Sequence, residues 1–401
     1  MDEPDLEPVY DGGRRRGRGR PSHRVVKVLA ASLLALGLVT GLSVAFVYRH
    51  LNGNYTHKDL DDWLGDDRPP VVEVEGPHKP LNILVMGADT REGAGNHLDN
   101  ESGGGSDTTI LFHLSADRQS AYGISIPRDS LVDRPECYAE DGGTIPPEAG
   151  AFWNAAYSVG GPACTIRQFE QLTHVHVSNY VVVDFAGFKG MVDAVDGVEV
   201  CVPEDIDDDV ADIHIPQGTH KLDGDEALGY VRVRHGVGDG SDLGRIRRQQ
   251  AFIAALAAKV VDGGTLARVD RLFGFLNAAT ESLTTDIPNI MEIAEIGKQF
   301  QDIGLGRIRF LTVPVVDSTT RPGRVEWTGD AAELWDRVRY DKPLGKLRIG
   351  SIGANQVAPE ESAPPTSSAD PSPPASDDTD AGSSDGVDAS ADDLAYAGLC
   401  S

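Results

Sequence analysis

The chain has 401 residues, 40% of them hydrophobic, and a formal net charge of -27. That apolar content supports one large or two modest globular cores. The acidic balance argues against general nucleic-acid binding, so no nucleic-acid partner is expected.

The charge is unevenly spread. Arg14, Arg15, Arg16, Arg18, Arg20, Arg24 and Lys27 precede an uncharged run over residues 28–48. At about 1.5 Å per helical residue this run spans roughly 30 Å, the thickness of a bilayer core. A cleavable signal peptide has a shorter apolar core followed by a small-residue site. Here the run ends in Phe46-Val47-Tyr48-Arg49, which favours an uncleaved anchor. The downstream flank is acidic (Asp59, Asp61, Asp62, Asp66, Asp67). The positive-inside rule then puts residues 1–27 in the cytoplasm and the main body outside a cell membrane crossed once. Beside such a helix the arginine run reads as a topology determinant rather than a nucleic-acid patch.

Residues 49–79 read as a stalk or linker with some helix, residues 80–350 as the globular domain, and residues 351–401 as a disordered tail. Apolar or β-branched runs predict strands over 81–86, 108–114, 120–126, 180–184, 197–202 and 309–313. Helical spacing is found over 153–159, 163–172, 185–195, 224–230, 244–260, 266–283, 287–300 and 331–338. Strands alternating with helices imply an α/β layer fold. The tail is rich in Pro, Ser, Asp and Ala, and from Asn355 onward it holds ten acidic residues and no Lys or Arg. Such a composition buries too little apolar surface to fold.

The four cysteines are Cys137, Cys164, Cys201 and Cys400. Cys137 and Cys164 bracket a turn-rich stretch and are the favoured pair, which leaves Cys201 for Cys400. Sequence alone permits three connectivities. No spacing suggests a zinc site.

Four segments carry chemistry. Gly87-Ala88-Asp89-Thr90-Arg91 ends one apolar strand, and Ser106-Asp107-Thr108-Thr109 opens the next. Ile126-Pro127-Arg128-Asp129 ends a third. The fourth runs from Tyr230-Val231-Arg232-Val233-Arg234 to Asp242-Leu243-Gly244-Arg245-Ile246-Arg247-Arg248-Gln249-Gln250. Strand ends are where α/β sheets gather ligands. Asp89 and Asp107 suit a hard divalent cation such as Mg²⁺ (or Mn²⁺), which takes one or two carboxylates plus phosphate oxygens and water. In an extended stretch Arg232 and Arg234 share a face, and on a helix Arg245 and Gln249 do. Converging arginines match phosphate geometry and call for an anionic ligand. The bland readings stand beside these. Asp242 is also placed as a helix N-cap, Asp129 as a turn residue, and Gly103 to Gly105 as a plain loop. The glycines are not a P-loop, since no Gly-Lys-Ser/Thr follows. His174 and His176 read as local structure, and no nucleophile elbow or Ser/His/Asp arrangement is present.

At these residues the chain resembles the LytR-CpsA-Psr family of bacterial envelope proteins. The motifs are GADTR, SDTT, SIPRDS, WNAAYSVGG, VDFAGFKGMVDAVDGV, LDGDEALGYVRVR and DLGRIRRQQ, between about Pro80 and Lys259. The resemblance implies an α/β/α three-layer domain with a central mixed sheet. It implies a glycopolymer transferase that moves a glycan phosphate from a polyprenyl-pyrophosphate carrier to a peptidoglycan acceptor. It makes Asp89 and Asp107 the Mg²⁺ aspartates, and Arg128, Arg232, Arg234, Arg245 and Gln249 the pyrophosphate contacts. Asp242 matches the motif's site aspartate. Two positions depart from the family pattern: Gly105 stands where Arg is usual, and Phe152 where Lys is frequent. Arg91 and Arg248 are candidates to make up the missing charge. A non-catalytic sensor of lipid-linked intermediates and a pyrophosphate hydrolase are the competing readings.

Overall fold

The structure, a computed structural model, describes residues 23–88, 105–139, 142–202, 204–208, 213–233, 240–261, 268–348 and 351–354. Two compact units divide at His50 and Leu51. The first holds most of helix α1 (His23–Asn54), which is long and apolar enough to cross a membrane by length and composition.

The second unit is a mixed α/β domain. Its central sheet has eight strands among the described residues: β1 (Thr56–His57), β2 (Leu81–Ala88), β3 (Ser106–Leu114), β4 (Ala121–Ile126), β5 (Asn179–Asp184), β6 (Leu283–Thr285), β7 (Ile308–Thr312) and β8 (Ile352–Gly353). Their order is β1-β6-β5-β2-β3-β4-β7-β8. β2, β3 and β4 pair antiparallel in chain order, β3 and β4 through a short turn, while β5 joins β2, and β7 joins β4, in parallel. The sheet is therefore mixed.

Because side chains alternate along a strand, register separates two cores. Tyr180, Leu84, Leu111, Ile124 and Leu311 stand in one row across five strands. They pack on Ile166 and Phe169 of α2 (Ala155–Thr173), and on Leu334 and Trp335 of the closing helix Gly329–Arg339. The opposite face carries Phe112 and Phe310, which meet edge-to-face at 6.0 Å across Gly123. A Cβ on Gly123 would lie 2.6 Å from the Phe310 ring, so only glycine lets the rings meet. Between α2 and that closing helix in the chain lie α3 (Phe185–Ala194), α4 (Gly224–Arg232), α5 (Asp242–Val261), α6 (Val269–Glu281) and α7 (Ile290–Ile303). Ala251 and Ala254 of α5 and Ile303 of α7 cover the second face of the sheet. The Gln250 amide of α5 donates to Ser125 Oγ at 2.9 Å and Thr312 Oγ1 at 3.2 Å. Helices thus flank the sheet on both sides, as the α/β layer reading expects.

Several details differ from the expectations. Within the segment read as a stalk, Leu51, Tyr55, Leu60 and Leu64 are buried, and Thr56–His57 pair with β6. Ile352–Gly353, read with the tail, pair with β7. The helix expected over 266–283 ends at Glu281, and Leu283 opens β6. The helices expected over 153–159 and 163–172 form α2, which kinks at Gly160 and Gly161 ahead of Pro162. Cys137 and Cys164 form the favoured disulfide. Cys201 is also disulfide-bonded, while Cys400 lies outside the described residues.

Candidate functional site

The end of β4 leads into a tight turn, closed by Ser130 N donating to Pro127 O at 3.1 Å. Arg128 and Asp129 occupy its two central positions. The turn is clamped by tryptophans. Trp153 N donates to Ser130 O at 2.9 Å, Trp327 Nε1 donates to Ser130 Oγ at 3.2 Å, and the two indoles stack at 6.0 Å. Asn154 N reaches Arg128 O at 3.4 Å. The Trp-Asn pair of the WNAA motif therefore fixes the backbone of the arginine turn.

Arg128 Nη1 is ion-paired with Asp107 at the start of β3, and Arg128 Nε lies 3.9 Å from Asp242 Oδ1. Asp242 opens α5 but does not cap it. The Ser241 hydroxyl accepts from Gly244 N at 3.0 Å and performs that role. Asp242 is thereby released for Arg245, one turn on, whose Nη2 stands 2.5 Å from Asp242 Oδ1. Only 4% of the Arg245 side chain is exposed. Burial pulls its guanidinium below the ordinary value, and Asp242 pushes it back up. Neither Arg245 Nε nor Arg128 Nε has a hydrogen-bond acceptor among the described residues. Buried donors left in this state are costly unless a ligand supplies oxygens.

Asp129 faces the same cluster. Burial, then the Asp242 carboxylate, raise it above the ordinary carboxylate range; Arg128, Arg324 and Arg245 pull it back. Arg324 Nη1 donates to Asp129 Oδ1 at 2.9 Å, and its guanidinium lies over the Phe152 ring at 4.5 Å. Sequence reading passed over Arg324. It sits in a polar, aperiodic stretch 195 residues from its partner, and no local signal marks it.

The remaining expected residues divide. Arg232 lies in the last turn of α4, over the Phe185 ring at 5.1 Å. It is helical rather than extended, and Arg234, the other half of the expected pair, lies outside the described residues. Gln249 is buried and donates to Val231 O at 3.0 Å, while Arg248 donates to Val233 O at 2.6 Å. Both satisfy carbonyls at the C-terminus of α4. Asp89, Arg91 and Arg234 lie outside the described residues. No group of three or more His, Cys, Asp and Glu is placed to hold a metal among the described residues. The Asp107 carboxylate, 32% exposed at a strand end, is an oxygen donor of the kind a hard cation takes. His174 ends α2 in a left-handed conformation, and His176 Nδ1 meets Pro69 O at 3.0 Å; both are local structure.

The second sheet face holds an apolar cavity of about 330 Å³. Ile253, Ala257 and Val261 of α5 line it, with Phe112, Ile296 and Phe300. These α5 positions continue the i, i+4 row that begins with Arg245 and Gln249. One row of one helix thus passes from the charged cluster to the apolar cavity.

The domain is a layered α/β fold with arginines and aspartates gathered at its strand ends. The LytR_cpsA_psr family model matches residues 47–342, and the chain belongs to this family. It is similar to the cell wall biosynthesis protein LcpA of Corynebacterium glutamicum, 29% identical over 311 residues, covering 70% of this chain and 57% of LcpA. It is also similar to the probable cell wall biosynthesis protein LcpB of the same organism, 31% identical over 282 residues, covering 68% of this chain and 62% of LcpB. The chain therefore spans about three fifths of the length of these two relatives. Among solved structures, B. subtilis TagV is 28% identical with a TM-score of 0.51, covering 66% of this chain and 98% of TagV.

Proposed function

We propose that this protein transfers a phosphate-linked glycopolymer from a polyprenyl-pyrophosphate carrier to a peptidoglycan hydroxyl at the outer face of the membrane. The observation that carries this reading is the α5 row. Arg245 suits a pyrophosphate head, and Ile253, Ala257 and Val261 further along the same helix suit the start of an apolar tail. From Arg245 to Ile253 is about 12 Å along the helix. A ligand that is anionic at one end and hydrocarbon beyond it matches that polarity. The names of LcpA and LcpB support a role in wall building. The apolar helix α1, with the basic cluster before it, would anchor the site beside a lipid-borne donor.

In the reaction, the acceptor hydroxyl attacks the phosphorus next to the glycan. A new O–P bond forms, the bridging P–O bond breaks, and polyprenyl monophosphate leaves. Arg128, Arg232 and Arg245 would hold the phosphate oxygens and offset the charge developing on them. Asp129, whose proton affinity is raised by burial and the neighbouring Asp242 carboxylate, would take the hydroxyl proton. A Mg²⁺ (or Mn²⁺) ion held by Asp107 with Asp89 would neutralise further charge on the pyrophosphate.

The test uses full-length protein in detergent with a polyprenyl-pyrophosphate-linked glycan, peptidoglycan and Mg²⁺. Glycan joined covalently to peptidoglycan is the expected result. Phosphate release without acceptor would instead make the protein a hydrolase. Donor binding with neither product would make it a non-catalytic regulatory protein.

A further inference from the structure

We propose that Arg324 is an additional phosphate-binding residue of this site, its guanidinium presented to the pyrophosphate from the far side of Asp129. The inference rests on the pyrophosphate reading given above and extends it to a residue far along the chain.

Three contacts fix the Arg324 side chain. Nη1 donates to Asp129 Oδ1 at 2.9 Å and to Gly323 O at 3.4 Å. Its guanidinium lies over the Phe152 ring at 4.5 Å. The following residue fastens the segment to the arginine turn, because Val325 N donates to Asp129 O at 3.4 Å and Val325 bridges to Ser130. Stacking on an aromatic face orients the guanidinium plane without consuming any N–H. Nε and Nη2 make no hydrogen bond with the described residues, and 35% of the side chain is exposed. The result is an arginine pinned along one edge and one face, with donors left over for an oxyanion.

The charge count gives it a purpose. Among the described residues, Asp107, Asp129 and Asp242 face Arg128 and Arg245, three negative groups against two positive ones. Among the described residues Arg324 brings the count to three against three. Two donors of Arg324 then add to those of Arg128 and Arg245 that lack acceptors.

The competing role is that of a strut joining the Arg324 segment to Asp129 and Phe152. Arg324→Met keeps the stem over Phe152 but removes the charge and the donors. Inorganic pyrophosphate with Mg²⁺ is titrated calorimetrically into full-length protein in detergent micelles. Arg324→Ala, Arg324→Met and Arg324→Lys are compared with Arg232→Ala, and the Tm of each is recorded. The expected result is pyrophosphate binding weakened about tenfold or more in Arg324→Ala and Arg324→Met, with a smaller loss in Arg324→Lys. The Tm of Arg324→Met stays close to wild type. Binding within twofold of wild type in Arg324→Ala and Arg324→Met, while Arg232→Ala has lost it, makes Arg324 a strut and leaves the pyrophosphate reading standing. If wild-type protein binds no pyrophosphate, that reading falls and the inference falls with it.

Discussion

Arg245 and Asp242 face each other at 2.5 Å, one turn apart at the start of α5, and the same Asp242 oxygen lies 3.9 Å from Arg128 Nε. One carboxylate thereby sets two guanidiniums at a fixed spacing. An arginine with 4% of its side chain exposed is tolerable here because that carboxylate partners it.

Removing Asp242 should therefore cost stability as well as function. Asp242→Ala strands a buried guanidinium and should destabilise the protein by about 3 kcal/mol. The double variant Asp242→Ala/Arg245→Met should recover part of that loss. Urea denaturation of the two variants checks it. Equal or greater destabilisation in the double variant would show that the pair is not coupled.

Asp129 gives a pH signature. Burial and the neighbouring Asp242 raise it, so the fold binds a proton there more tightly than the unfolded chain does. Its contribution to stability is full below the ordinary carboxylate value and is lost as pH rises through the raised one. Asp129→Asn removes this loss. The Tm of the variant relative to wild type should climb as pH rises from about 4 through the mildly acidic range. A pH-independent difference in Tm would mean that Asp129 is not held above its ordinary value.

The cavity prediction separates tail from head. Ala257 lines the apolar space eight residues beyond Gln249, and Ala257→Trp should fill much of its 330 Å³. Transfer from a polyprenyl-linked donor should fall at least about tenfold, while inorganic pyrophosphate binds as before. Unchanged transfer would remove the cavity from the account. Equal loss of both would point to a general packing defect.

The central meander was legible because β2, β3 and β4 are apolar runs ended by glycine, proline or polar turns. The chemistry at their ends was legible for the same reason, since Asp107 and Arg128 stand where an apolar run stops. Helical spacing located α5 and with it Asp242, Arg245 and Gln249. Other features had no local signal. Thr56–His57 and Leu283–Thr285 are two and three residues long, too short for any period, and become strands only through their partners. The role of Ser241 as cap depended on which of two adjacent cap-competent residues took the task, which composition does not decide. Gln249 was read as a phosphate contact from its spacing, yet its amide donates to Val231 O, a choice set by where α4 ends. Arg324 entered the cluster through long-range pairing of its segment with Ser130, which no window along the chain contains.

The central claim is that the Asp107–Arg128–Asp242–Arg245 cluster binds the pyrophosphate of a lipid-linked donor. The most direct test is donor titration of full-length protein against Arg128→Ala, followed by transfer to peptidoglycan under the same conditions. A charge-assisted hydrogen bond is worth about 1.5–3 kcal/mol, so donor affinity should fall roughly ten- to hundredfold and transfer should be lost. Donor binding within twofold of wild type, with transfer at the wild-type rate, would contradict the assignment of this site.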